Sequence, residues 1–233
     1  MELKISNLKK KYKNGIKALD GVDLEIKPGM FGLLGPNGAG KSTLMRIIAT
    51  LQDADEGTVQ LGGDNIAEDK MSLRKQLGYL PQSFGVYPKM SADELLMLFA
   101  ELKGISNKRE RKEIVDAVLK QTNLNEVRNK NVAAYSGGMK QRFGIAQVLL
   151  GKPRLIIVDE PTAGLDPAER SRFLNILREI GTDNIVILST HIVDDVKELC
   201  TDMAILNNGK ILKHKTPAEA VKEIDGMIWY RQF

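Results

Sequence analysis

The chain has 233 residues and a formal net charge of +4, and 42% of its residues are apolar and 27% are charged. These proportions are typical of a globular protein with one large domain or two small ones, and so small a charge requires neither a nucleic-acid nor a membrane-surface partner. The single cysteine, Cys200, excludes an intrachain disulfide and a cysteine-based zinc site, and only two histidines argue against a histidine-rich metal site.

The sequence contains no segment that would insert into a membrane. Its first residues, Met-Glu-Leu-Lys-Ile-Ser, lack the apolar core and the small-residue cleavage site of a secretory signal. No apolar run approaches the roughly 18 residues that a spanning helix needs. We therefore expect a cytoplasmic protein without direct membrane insertion, so that any membrane part of its process belongs to another chain.

The first half of the chain begins with strands. Apolar residues alternate within 3–8 and 22–26, and Lys27-Pro28-Gly29 is a turn. A strand over 30–34 leads into a glycine-rich loop, and a helix is predicted from Thr43 to Leu51. Two further strands are predicted, over 57–61 and 77–81.

The middle of the chain is predicted to be helical. Apolar residues follow helical spacing from Ser91 to about Gly104 and again from Lys108 to about Thr122. Ser91 is a suitable N-cap, and Glu94, three residues on, completes a capping box. This block interrupts the strand pattern, so we interpret 90–135 as an inserted helical subdomain.

Strands and helices alternate in the last part of the chain. Helices are predicted after Ser136 to about 149, over 168–180 and over 193–200, strands over 155–158 and 185–189, and a hairpin over 203–206 and 210–214. Unbroken apolar strands that alternate with helices indicate an α/β fold with a mostly parallel sheet covered on both faces.

A glycine-rich loop between a strand and a helix is the clearest indication of chemistry. Its residues are Gly35, Pro36, Asn37, Gly38, Ala39, Gly40, Lys41, Ser42 and Thr43. The pattern G-x-x-x-x-G-K-S lets backbone N–H groups converge on phosphate oxygens at a helix N-terminus. We expect Lys41 to neutralise the β- and γ-phosphates and the hydroxyl of Ser42 to ligate Mg²⁺. The loop therefore predicts a nucleotide site.

Two adjacent acids end the apolar strand at 155–158. Asp159 is well placed to hold the Mg²⁺ shell through water, and Glu160 to polarise a water in line with the γ-phosphate. The alternative is a solvated strand end, which Pro161 would terminate. Four aliphatic residues before the acids, in a chain with a phosphate loop, favour the catalytic interpretation.

These motifs together resemble the ATP-binding-cassette (ABC) family, specifically its transporter ATPase subunits. The phosphate loop, Gln82, Ser136-Gly137-Gly138, Asp159-Glu160, Ala163 to Asp166 and Ser189-Thr190-His191 occur in the family's order over nearly all of the chain. The resemblance implies one ATPase domain over 1–233 with a P-loop NTPase core. In it, 1–89 and 136–233 would form the core with an N-terminal antiparallel β subdomain, and 90–135 the helical insert.

The resemblance also implies a site shared between two chains. In the family, Ser136, Gly137 and Gly138 open a helix that caps the γ-phosphate bound by the other subunit; the alternative is a plain N-cap. The family's commonest signature begins with Leu and ends with Gln, where this chain has Tyr135 and Met139. Met139 lacks the hydrogen-bonding side chain of glutamine. This form of the signature resembles that of members that export drugs, antibiotics or ions.

Four further residues take roles from the resemblance by position. Tyr12 resembles the aromatic residue that stacks on adenine, the alternative being a half-buried strand tyrosine. Gln82 resembles the glutamine that reaches Mg²⁺ and the attacking water. His191 resembles the histidine that contacts the γ-phosphate and orients this water. Asp166 resembles the acid that links the two sites of a dimer.

The implied function is ATP hydrolysis that powers transport. The cofactors would be ATP and Mg²⁺, and the partners a second ATPase subunit, arranged head to tail, and a permease at the inner face of the membrane. The alternative is a cytosolic ABC ATPase that acts on nucleic acid or ribosomes, but the long coiled coil of repair-type members is absent.

The last residues, 227–233, alternate like the start of a strand, and the natural chain either extends further or ends in a short tail.

Overall fold

Two sheets and the helices around them are seen in the computed structural model, which describes residues 1–85, 87, 89–182 and 184–223. The strands are β1 (Leu3–Lys11), β2 (Lys17–Ile26), β3 (Gly29–Leu34), β4 (Glu56–Leu61), β5 (Asp64–Asn65), β6 (Leu77–Leu80), β7 (Leu155–Asp159), β8 (Ile185–Thr190), β9 (Asp202–Asn207) and β10 (Lys210–Lys215). The helices are α1 (Lys41–Ile48), α2 (Lys70–Gln76), α3 (Ala92–Leu102), α4 (Lys108–Gln121), α5 (Gly137–Leu149), α6 (Pro167–Ile180), α7 (Val193–Leu199) and α8 (Pro217–Glu223). The predicted start of a strand at 227–233 lies outside the described residues.

The larger sheet has the strand order β10-β9-β3-β8-β7-β6 and is parallel except for β10. Its two faces pack against different elements. Along β7, Leu155 and Ile157 join the core that contains α1, whereas Ile156 and Val158 join the core that contains α5, α6 and α7. This alternation confirms the predicted sheet with both faces covered.

The smaller sheet is antiparallel, with the order β2-β1-β4-β5. Leu3 of β1 pairs with Ile26 of β2 and with Leu61 of β4. The apolar face of this sheet packs on α1, so that α1 lies in the same core as residues from both sheets. The N-terminal antiparallel β portion is therefore confirmed.

Helices α3, α4 and α5 share a third core. The Ser91 hydroxyl accepts a hydrogen bond from Glu94 N at 3.3 Å, and Ser91 N donates to Glu94 Oε2 at 2.8 Å, so the predicted capping box is present. Tyr135 is buried in this core and donates its hydroxyl to Val127 O at 2.8 Å. Assigning 90–135 to a separate subdomain stays a prediction.

The structure differs from the sequence-based expectation in several elements, among them α1, α2, α8 and the short strand β5. The helix expected to reach Leu51 ends at Ile48, because Thr50 adopts a left-handed backbone conformation with φ of 57°. Helices α2 and α8 were not predicted. In α2, only Leu73 is buried, so the segment lacks the repeating apolar face by which a helix is recognised.

None of the helices within the described ranges is long and apolar enough to cross a membrane.

Candidate active site

The phosphate loop lies between β3 and α1, at the carboxyl edge of the larger sheet. Gly40 caps α1 with φ of 111°, and a Cβ atom at this position would overlap the carbonyl oxygen of Ala18. Glycine is therefore required both for the backbone conformation and for the close approach of β2. Ala39 is buried in the core, so only its backbone can face a ligand. The N-terminus of α1 completes a suitable site for an anion.

The side chain of Lys41 folds back against the phosphate loop, and the residue is only 5% exposed. Its Nζ donates to Gly35 O at 2.7 Å and to Pro36 O at 3.2 Å. The same atom lies 3.3 Å from Glu160 Oε1, which makes a buried ion pair. The loop thus holds one positive charge where phosphate oxygens would approach.

Glu160 connects Lys41 to the far side of the site. Its other carboxylate oxygen, Oε2, lies 2.7 Å from His191 Nδ1, and its side chain is 7% exposed. The backbone of Glu160 is left-handed, with φ of 50°, a conformation that is uncommon for residues other than glycine and is found at functional sites. Residues from three sequence regions, Lys41, Glu160 and His191, therefore form one connected group.

Asp159 ends β7 directly beside Ser189 of β8. It is 4% exposed, and its Oδ1 has no hydrogen-bond partner among the described residues. A buried carboxylate oxygen in this position is costly unless a ligand completes it. Together with Ser42 and Gln82 at the adjacent cavity, it supplies the oxygen ligands that Mg²⁺ prefers. These residues fit the predicted metal.

A cavity of about 410 Å³ opens over the loop. Its lining residues are Tyr12, Asn14, Ile16, Ala18, Pro36, Asn37, Gly38, Gly40, Lys41, Ser42, Thr43, Gln82 and Glu160. The hydroxyl of Tyr12 lies 3.1 Å from Thr43 Oγ1, a hydrogen bond that lowers the pKa of Tyr12. The structure thus places Tyr12 and Gln82 beside the loop, as the resemblance implied.

Sequence reasoning missed Ile16 in this cavity. Its side chain is 59% exposed although it is large and apolar, and it lies on the wall that also includes Tyr12. An exposed isoleucine in a turn is outside any alternating pattern, so periodicity could not find it. Two apolar side chains at one end of a phosphate site are a suitable surface for a nucleobase.

Ser136 and Asp166 lie outside this cavity and are exposed. The Ser136 hydroxyl accepts from Met139 N at 3.2 Å and caps α5, while Asp166 Oδ1 accepts from Glu169 N at 2.9 Å and caps α6. Gly138, at the start of α5, is packed against Glu169. Both predicted residues therefore serve as N-caps, and the structure does not bring them to the phosphate loop of their own chain.

Comparison with known sequences gives a consistent result. Residues 19–163 match the ABC transporter family. The uncharacterized ABC transporter ATP-binding protein YxlF of Bacillus subtilis is 39% identical over 210 residues, which are 90% of this chain and 69% of YxlF. The linearmycin resistance ATP-binding protein LnrL of the same organism is 34% identical over 227 residues, 96% of this chain and 72% of LnrL. The daunorubicin/doxorubicin resistance ATP-binding protein DrrA of Streptomyces peucetius is 34% identical over 222 residues, 93% of this chain and 66% of DrrA.

Solved structures agree with the sequence relatives. The cbiO1 protein from Clostridium perfringens, described as part of the ABC transporter complex cbiONQ, has a TM-score of 0.85 and 29% identity and covers 97% of this chain and 92% of its own. The dimeric, post-hydrolysis structure of the ATP-binding cassette MJ0796 bound to ADP and Pi has a TM-score of 0.83 and 28% identity. The match covers 92% of this chain and 98% of the MJ0796 chain. The chain belongs to the ABC transporter family and is an ATP-binding, ATP-hydrolysing subunit of that class.

Proposed function

We propose that this chain powers export through a separate membrane permease, and that Lys41, Glu160 and His191 carry out the hydrolysis. The connected group that these three side chains form carries the proposal. Export is supported by relatives that are named for resistance to linearmycin and to daunorubicin and doxorubicin. All of these relatives are transporter proteins or resistance proteins, which favours transport over action on nucleic acid.

Hydrolysis would follow from the positions of these side chains. The loop backbone and Lys41 bind the phosphates, with Nζ exchanging its carbonyl contacts for phosphate oxygens. A water oxygen attacks the γ-phosphorus while the bond to the β,γ-bridging oxygen breaks, releasing ADP and phosphate. Glu160 accepts a proton from this water. His191, which is hydrogen-bonded to Glu160, orients the water.

Mg²⁺ would be held by Ser42, Gln82 and, through water, Asp159. When bound, the ion neutralises charge that develops on the phosphate oxygens. Asp159 contributes a carboxylate that is already desolvated, and its unpartnered Oδ1 supports this role.

A second copy of the chain, arranged head to tail, would complete each site. Ser136, Gly137 and Asp166 are exposed and lie away from the cavity that holds Lys41, so they can act only on a nucleotide bound elsewhere. A serine hydroxyl and glycine N–H groups at the start of α5, a helix of 13 residues, favour an anion. The dimeric MJ0796 structure supports the dimer.

The permease would dock in an apolar groove beside β6. This groove, of about 340 Å³, lies between β6 and the helices α3 and α5, and its lining includes Pro81, Phe84, Phe99 and Leu102. Phe84 also packs between two of the cores, so the loop after Gln82 joins the helical part of the chain to the sheet. A short apolar helix of a permease fits such a surface, and it would place the chain on the cytoplasmic side of the membrane.

The substitution Glu160→Gln tests the catalytic assignment. It keeps the shape of the side chain but removes the base, so we expect ATP hydrolysis to fall by about 10²- to 10⁴-fold while ATP affinity is retained and an ATP-bound dimer accumulates. Steady-state turnover, equilibrium ATP binding and sedimentation measure the three effects. Glu198→Gln, the same change at an exposed glutamate on α7, is the matched control and should hydrolyse ATP normally. Undiminished turnover in Glu160→Gln would remove Glu160 from its proposed role.

A further inference from the structure

A buried arginine on α5 joins three helices. Arg142 is 7% exposed, and its Nη1 donates to Asn123 O at 2.7 Å and to Thr122 O at 3.2 Å, at the carboxyl end of α4. Its Nε donates to Glu169 Oε2 on α6 at 3.3 Å. The guanidinium has five donors in a fixed plane, so one side chain can hold two carbonyl groups and a carboxylate at once. Arg142 therefore ties α5 to α4 and to α6.

The glutamate partner of Arg142 contacts Gly138, two residues after the Ser136 cap, and also the Asp166 cap. A Cβ atom at position 138 would overlap the side chain of Glu169, so this side chain lies directly against the backbone of Gly138. The N–H of Glu169 donates to Asp166 Oδ1 at 2.9 Å, which forms the cap of α6. Glu169 is thus the residue at which the Ser136–Gly138 turn and the Asp166 cap meet.

Fold stability alone does not account for this arrangement. Arg142 is buried and 15% of the Glu169 side chain is exposed, so both ions are largely desolvated, and such a pair is often no more stable than apolar side chains of the same size. What such a pair provides is a fixed geometry, because its hydrogen bonds are satisfied in one arrangement of the helices. Neither residue lines the cavity that holds Lys41, so neither acts on the nucleotide of its own chain.

We propose that Arg142 and Glu169 are positioning residues that hold the Ser136–Gly138 turn and the Asp166 cap in one spatial relation, so that both can meet a second copy of the chain together. The inference rests on the proposed head-to-tail dimer. Loosening the Arg142–Glu169 pair would let α5 and α6 shift separately, and the two caps would then no longer present one surface. The consequence is weaker closure of the dimer, without weaker ATP binding to each chain.

The test uses Arg142→Lys and Glu169→Gln, each introduced with Glu160→Gln so that ATP is not consumed. Lysine keeps the charge but lacks the planar guanidinium with five donors in a fixed fork, and glutamine keeps the volume but removes the carboxylate. For the loss of one charged hydrogen bond we expect ATP-driven dimerisation to weaken about tenfold, with unchanged ATP affinity at protein concentrations where the chain is monomeric. Sedimentation and equilibrium binding measure the two quantities.

A matched control is available on the same glutamate. Arg172 Nη1 lies 2.6 Å from Glu169 Oε1, but its side chain is 61% exposed. Arg172→Gln therefore removes an ion pair from Glu169 without touching α5, and we expect dimerisation to remain normal because exposed pairs contribute little.

With Glu160 intact, turnover by the Arg142→Lys and Glu169→Gln variants should fall at low protein concentration and recover at high concentration.

The outcomes separate the inference from the function on which it rests. Normal dimerisation in both variants would overturn the inference alone. The inference would also be overturned if turnover fell, did not recover at high protein concentration, and was accompanied by weaker ATP binding. This pattern marks a general folding defect. If the Glu160→Gln parent formed no dimer with ATP, the head-to-tail proposal would fail and the inference with it.

Discussion

Lys41 Nζ lies within 3.3 Å of three oxygen atoms that would compete with a phosphate group. Two are loop carbonyls, of Gly35 and Pro36, and the third belongs to Glu160. The ammonium group donates hydrogen bonds to the two carbonyls and forms an ion pair with Glu160. A nucleotide would exchange them one by one, and moving Lys41 towards the phosphates would leave Glu160 more free to accept a proton. The buried pair would thus link phosphate binding to the proposed role of Glu160 as the base.

Tyr12 has two possible roles, and different atoms of its side chain would serve them. Tyr12 lines the cavity together with Ile16, as expected for contact with a nucleobase. Its hydroxyl bonds to Thr43 and donates to Gln52 Oε1 at 3.3 Å, as expected for a residue that supports α1. A substitution that removes only the hydroxyl can therefore be compared with one that removes the ring.

Tyr12→Phe and Tyr12→Ala together separate these roles. If the ring stacks on the base, Tyr12→Phe should keep its ATP affinity, whereas Tyr12→Ala should lose about tenfold, since one aromatic contact with a base is worth about 1–3 kcal/mol. Both variants lose the hydroxyl bonds, so both should be less stable by about 1 kcal/mol. Fluorescence titration with ATP and urea unfolding measure the two effects. Equal ATP affinity in the two variants would assign Tyr12 to structure only.

Among the elements, α3 shows how far local sequence determines structure. Ser91 and Glu94 were predicted to form a capping box from their spacing alone, and the structure contains it. The box depends on residues three apart, which any helix start brings together. Helix α2 also begins with a side-chain cap, Asp69, but its sequence has no apolar stripe, so the cap alone did not reveal it.

Ser91→Ala should lower the free energy of unfolding by about 1 kcal/mol at pH 7, because an N-cap is lost. The backbone N–H and the hydroxyl of Ser91 hold the pKa of Glu94 below its ordinary value of 4.5. The folded pKa is the lower one, so this contribution is present above pH 4.5 and disappears as the pH falls through the folded pKa. The difference between Ser91→Ala and the unaltered chain should therefore shrink in acid.

Urea unfolding at neutral and acidic pH measures this difference. Ser171→Ala, at an exposed position within α6, is the matched control and should change the free energy of unfolding by less than about 0.5 kcal/mol. A Ser91→Ala difference that stays constant down to pH 3 would show that the hydroxyl of Ser91 does not stabilise the charged form of Glu94.

At the scale of the whole molecule, the parallel sheet assembles the site. Asp159 pairs with Ser189, and Leu34 pairs with Thr190, so the residues that follow β3, β7 and β8 lie at one edge. This much was predictable, because carboxyl ends of parallel strands share an edge and each motif follows an apolar strand. The proposed site residues therefore rest on sequence pattern together with family resemblance.

Lateral contacts between distant elements were not predictable in the same way. The pairing of Arg142 with Glu169 joins two helices whose own periodicity says nothing about which faces meet. Likewise, the place of β3 between β8 and β9 depends on the crossovers and not on the composition of β3. Ile16 was missed for a related reason, since its exposure has meaning only beside Tyr12 and the phosphate loop.

The proposed sharing of each site between two chains predicts that two inactive variants restore each other's activity. Glu160→Gln removes the base from a chain's own site, and Ser136→Asp keeps the N-cap of α5 but places a negative charge against the phosphate of the opposing chain. In a head-to-tail heterodimer of the two, one site keeps both Glu160 and Ser136. Random mixing makes about half of the dimers mixed, so turnover should rise to about a quarter of that of the unaltered protein.

Turnover of the mixture, compared with that of each variant alone, is the measurement. The control replaces Glu160→Gln with a chain that carries both substitutions, Glu160→Gln and Ser136→Asp. No site in that mixture has an intact Glu160 opposite an intact Ser136, so no activity should return. If Ser136 instead served the nucleotide of its own chain, neither mixture would recover, because every chain would carry a defect in its own site. Recovery in the first mixture alone therefore requires that each active site be built from two chains.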